Sequence, residues 1–84
     1  MSDHKVILSP RSKERALYML EQNKLEFYVA RTASKLDIKG AVRSLFQVEV
    51  SKVNTRITKE GKLAIVKLAE SHSAEDLSNR LGIL

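Results

Sequence analysis

The sequence predicts an α+β domain: a mostly antiparallel four-stranded sheet, its first strand short, with helices packed on it in the order β-α-β-α-β-β-α. Three features of the 84-residue chain carry that prediction. In residues 40–56, Ala41, Val42, Leu45 and Phe46 recur at helical spacing. Past Gln47 the period drops to two, with Val53, Thr55 and Ile57 on one side and Lys52, Asn54 and Arg56 on the other. Upstream, Leu25, Phe27 and Val29 alternate with Glu26, Tyr28 and Ala30, the pattern of a strand with one buried face. Downstream, Thr58-Lys59-Glu60-Gly61-Lys62 is a polar segment of turn length whose Gly61 can take a positive φ, which makes the last two strands a hairpin.

Each element has its own signal. The apolar run from Lys5 to Leu8 gives a short edge strand or tether that Pro10 stops. Ser12 is the preferred N-cap of the first helix, because Ala16, Leu17 and Leu20 then form one stripe, and Asn23 ends it. Ser34 begins the second helix with Asp37 three residues on, a weaker form of the capping box. Ile38, Ala41, Val42, Leu45 and Phe46 face the core, while Lys35, Lys39 and Arg43 make a basic stripe along the flank. Val48 and Val50 have the opposite parity to Val53, Thr55 and Ile57, so the inward phase slips near Ser51 or Lys52 through a bulge or a late strand start. Leu63 to Leu68 is apolar on both parities apart from Lys67, as in a strand covered at least partly on both faces. Ser73 caps the last helix, Leu77 and Leu81 lie on its buried side, and Gly82 with Ile83 closes it. No repeat, linker or low-complexity tract divides the chain, so residues 1–84 read as one domain.

Composition narrows the function. Hydrophobic residues make up 43% and charged ones 30%, the balance of a globular chain. Fifteen Lys and Arg against ten Asp and Glu leave a net charge of +5, which favours a polyanionic partner through phosphate neutralisation. Aromatics are 5%, too few for a wide base-stacking platform. No helix combines a broad apolar face with a wholly cationic one, no apolar run reaches membrane-spanning length, and the start of the chain has no secretory core, so no membrane partner is expected. With no cysteine there is no disulfide framework or thiolate metal site, which is compatible with a reducing cytoplasm.

Catalytic chemistry finds little support. His4 and His72 lack a partner arrangement at a defensible spacing, Ser44, Ser51 and Ser71 lack a nucleophile-elbow context, and the three glycines are scattered. Glu75 and Asp76 are explained by the start of the last helix. No catalytic residue, metal site, cofactor or small-molecule substrate is expected. The enzymatic alternative is a small phosphate-ester or acyl-phosphate hydrolase, with Arg56 holding phosphate and Asn54 placing water, but no glycine-rich anion loop accompanies them.

The run Phe27-x-Val29, Ala33-x-Lys35, Ile38-Lys39-x-Ala41-Val42-x-x-Leu45-Phe46-x-Val48-x-Val50-x-x-Val53-Asn54-Thr55 resembles the universal large-subunit ribosomal proteins numbered twenty-three. A second match is Lys62-x-Ala64-Ile65-Val66-Lys67-Leu68-Ala69, and the likeness extends from about Val6 to Ile83. The ending from Ser73 to Ile83 and the short turn at Thr58 to Lys62 are similar to archaeal and eukaryotic members; bacterial ones carry a long hairpin extension there. The resemblance implies a cytoplasmic, non-catalytic protein of the large subunit that binds its RNA beside the polypeptide exit tunnel, among neighbouring ribosomal proteins. It also implies a docking place for the signal recognition particle or nascent-chain chaperones. Glu14 and Arg15 match the family's docking acid and its neighbouring base. Lys13 makes that patch less negative, Gln47 stands where many bacterial members have a second acid, and Leu63 replaces a usual base.

The expected RNA contacts are therefore Lys52, Asn54, Arg56, Lys59 and Lys62 on the strand and hairpin, Arg11 and Lys13 before the first helix, and Lys35 and Lys39 on the second. Two cations bracketing an amide on a rigid strand suit phosphates together with a base or sugar edge. The expected partner-docking set is Glu14, Arg15 and Gln47, and a domain serving chiefly as a protein-docking module is the second functional alternative.

Overall fold

Alternation of side chains along β2 (Lys24–Val29) buries Leu25, Phe27 and Val29 and leaves Lys24, Glu26 and Tyr28 half-buried on the other face. The computed structural model describes residues 3–10 and 16–81, and around β2 it places α1 (Asp3–Val6), β1 (Ile7–Pro10), α2 (Ala16–Glu21), α3 (Lys35–Phe46), β3 (Val50–Thr58), β4 (Gly61–Leu68) and α4 (Ala74–Leu81). The strands form one sheet in the order β1-β2-β4-β3, with every neighbouring pair antiparallel. The predicted order of elements is thus observed, with one addition.

That addition is α1. Lys5 and Val6 belong to a helical turn rather than to the first strand, which begins at Ile7. Consecutive strand residues point to opposite faces, yet Val6 and Ile7 are both buried in the same core. A turn of helix before Ile7 resolves the conflict, and the Val6 carbonyl accepts from the Ala30 amide at 2.9 Å. A register shift between Ile7 and Ser9 accompanies an exposed Leu8.

The proposed caps Ser12 and Gly82, with Ile83, lie outside the described residues. Asn23 does end α2: its φ is 61°, and its amide donates to the Leu20 carbonyl at 2.9 Å. Its side chain does more. Nδ2 faces the carbonyls of Leu68, Ala69 and His72 at 3.2, 3.4 and 3.0 Å, and Oδ1 accepts from the Ala74 amide at 2.7 Å. One residue therefore ties the end of α2 to the end of β4 and the start of α4.

At the start of α3 the capping box is complete. The Asp37 amide donates to Ser34 Oγ at 3.1 Å, and the Ser34 amide donates to Asp37 Oδ2 at 2.9 Å. The Ser34 amide, and then its hydroxyl, hold the Asp37 carboxyl below its usual value. Ile38, Ala41 and Val42 are buried against the sheet, and Phe46 stacks on Phe27 with ring centroids 5.6 Å apart. Gln47, at φ 56°, closes the helix by donating its amide to the Arg43 carbonyl.

The predicted phase slip is a bulge: Val50 pairs with Leu68, Lys52 with Lys67, and Ser51 is the extra residue. Ile57 departs from expectation. Val53 is buried and Thr55 half-buried, but Ile57, assigned to the core with them, is 62% exposed. β3 is an edge strand with a sheet neighbour on one side only, and beside the turn Ile57 has Lys62 as its sole cross-strand partner. Gly61, at φ 138°, makes the tight turn, and Thr58 Oγ1 donates to its carbonyl at 2.9 Å. The central strand β4 is buried on both parities as predicted: Ala64, Val66 and Leu68 join the core, whereas Leu63 has no exposed surface yet lies on the other face.

Candidate nucleic-acid interface

α3 packs on one face of the sheet; on the other face the β3 side chains and Lys67 are exposed, while Leu63 at its centre is fully covered. The composition of this second face follows from the register. The first row across β2, β4 and β3 is Lys24, Lys67 and Lys52; the second is Glu26, Ile65 and Asn54; the third is Tyr28, Leu63 and Arg56. Lys52, Asn54 and Arg56 are exposed, two residues apart on one strand, as the sequence pattern required. Neither Lys52 nor Arg56 forms an ion pair with a described residue. Lys59 extends the cationic edge into the turn. Held by the β3–β4 ladder, these side chains project from a rigid surface, so phosphate contact does not first have to order a loop.

The other expected contacts are distributed differently. Lys62 is on the inner face, half-buried, and its Nζ donates to the Ala33 carbonyl at 2.6 Å and to that of Arg31 at 3.3 Å. It fastens the segment between β2 and α3 to the hairpin. Lys35 and Lys39 are exposed on α3, in the helical layer, away from Lys52 and Arg56. Arg43 continues their stripe and pairs with Glu49 at 3.1 Å. Gln47 is exposed at the end of α3, where Arg80 Nη2 reaches the Phe46 carbonyl at 3.3 Å. Arg11, Lys13, Glu14 and Arg15 lie outside the described residues.

Sequence reasoning missed Lys24 and Lys67 because their places beside Lys52 depend on strand pairing and on the Ser51 bulge. Arg80 was missed because its target is a backbone carbonyl on another helix. Leu63 was read as a lost cation, but it fills the outer face between Tyr28 and Arg56. Among the described residues no group of His, Asp and Glu is placed to hold a metal, and no helix is long and apolar enough to cross a membrane.

An antiparallel four-stranded sheet with helices packed on it and a cation-bearing outer edge defines a small α+β module whose exposed charge suits a polyanion. The family model described as "Ribosomal protein L23" matches residues 5–62. The chain is 41% identical over 85 residues to the large ribosomal subunit protein uL23 of Methanothermobacter thermautotrophicus, covering 99% of each chain. It is 46% identical over 79 residues to uL23 of Thermoplasma acidophilum, covering 93% of this chain and 94% of that one. The chain belongs to the ribosomal protein L23 family, structural, non-enzymatic proteins of the large ribosomal subunit for which ribosomal RNA binding is generally expected. Both relatives are archaeal, in keeping with the short hairpin, and the hydrolase alternative falls.

Proposed function

We propose that this protein serves in the cytoplasm as a constituent of the large ribosomal subunit beside the polypeptide exit tunnel, and that it grips ribosomal RNA with the outer face of its sheet. The observation that carries this reading is the column Lys52, Asn54 and Arg56, exposed on one strand and continued by Lys59. The two charged residues supply phosphate contacts and the amide meets a base edge or 2′-hydroxyl. Arg11, Lys13, Lys35 and Lys39 extend the contact beyond the sheet, and Lys62 contributes after giving its primary bonds to Arg31 and Ala33.

The protein also helps form the docking place for the signal recognition particle or nascent-chain chaperones, through Glu14, Arg15 and Gln47. The family resemblance supports this part, together with the exposed end of α3 at Gln47. Lys13 and the uncharged Gln47 make the surface less acidic than in many bacterial members, which favours a weaker contact here.

Cross-linking in cell lysate tests both parts at once. Large-subunit RNA attached to β3, and exit-site factors attached near Gln47, are the expected products. Messenger or transfer RNA without a large-subunit signal overturns the RNA assignment, and factor cross-links that survive Glu14→Lys unchanged overturn the docking one.

A further inference from the structure

Three lysines stand side by side across the outer face. Lys24 of β2 is opposite Lys67 of β4, which is in turn opposite Lys52 of β3. Strands in a sheet are about 4.8 Å apart, so the row spans about 10 Å at its base. None of the three ammonium groups has an ion pair or a side-chain hydrogen bond with a described residue. Like charges directly opposite each other destabilise a sheet, and here two such contacts run in series.

The local architecture enforces this arrangement. With regular pairing after Val50 and Leu68, Ser51 would face Lys67 and Lys52 would turn to the inner face. The bulge at Ser51 shifts the phase and delivers Lys52 to the outer face opposite Lys67. Ser51 Oγ donates to the Lys67 carbonyl at 3.3 Å across that irregularity. On the other side, Lys24 directly follows Asn23, whose side chain is tied to Leu68, Ala69, His72 and Ala74. Both ends of the row are therefore positioned by special backbone features.

We propose that Lys24, Lys67 and Lys52 form a phosphate-binding row that carries an RNA backbone across the strands, and that bound phosphates relieve a repulsion built into the free sheet. The inference rests on the RNA reading above. Beyond the row, β2 continues with Glu26 and Tyr28 on this face, while β3 continues with Asn54 and Arg56. The anion path therefore enters at Lys24, crosses the sheet and turns along β3.

The test compares the unsubstituted protein with Lys24→Gln, Lys67→Gln and, as a control of equal charge, Lys5→Gln, an exposed residue of α1, which lies against α3. The probe is large-subunit ribosomal RNA transcribed from the Methanothermobacter thermautotrophicus sequence. Each row variant should make the log–log salt dependence of affinity shallower by roughly 0.7–0.9. Lys67→Gln should also raise the thermal midpoint of the RNA-free protein by roughly 2–4 °C at low salt, a gain that shrinks as added salt screens the wild-type repulsion. Lys5→Gln should do neither. Wild-type binding with an unchanged Lys67→Gln slope overturns the row and leaves the RNA reading intact, as does an equal loss in Lys5→Gln, which reduces the effect to net charge. No wild-type binding overturns both.

Discussion

The two faces of the sheet use the same strands in the same register, one residue out of step, and they are opposites in energy. The inner row Leu25, Val66 and Val53 is apolar throughout and continues through Phe27 and Ala64 to the rings and aliphatic groups of α3. The neighbouring outer row is Lys24, Lys67 and Lys52. Burial on the first face stabilises the fold with no partner; the second sets three lysines opposite one another with no ion pair to a described residue. The inner face thus makes the fold, and the lysine-bearing end of the outer face is the proposed seat of an anion.

Breaking the inner face has the largest effect. Phe27 has no exposed surface and stacks on Phe46, so Phe27→Ala should cost about 3–5 kcal/mol in urea unfolding. The fraction that remains folded should keep the wild-type salt dependence, since no outer side chain is lost. Asn23 joins the two faces, because it ties three carbonyls and the Ala74 amide while preceding Lys24. Asn23→Ala leaves these groups partly unmatched and puts Ala at a positive φ, and a loss of about 2–3 kcal/mol in the same unfolding measurement is expected.

How much of this the sequence revealed depends on the range of the interaction. α3 was legible at both ends because Ser34, Asp37 and the apolar spacing act within one or two turns, and the bulge was visible as a change of parity between Val50 and Val53. Local pattern could not show that β3 is an edge strand, so Ile57 was placed in the core. Nor could it show that Val6 and Ile7 bury together, or that Asn23 reaches across to residues 68–74. The column Lys52, Asn54 and Arg56 was readable because it lies on one strand. The lysine row was not, since its members come from three strands and meet through pairing alone.

The central claim is that the outer face meets phosphate while the inner face makes the fold, and Arg56 is its most direct probe. It is exposed, on the outer side of β3, and next in sequence to Ile57 on the inner side. The deciding measurement is the salt dependence of ribosomal RNA affinity for Arg56→Ala, read beside its urea unfolding curve. The expected result is a slope shallower by about one unit with stability within about 0.5 kcal/mol of wild type. A wild-type slope together with a large loss of stability would contradict the account.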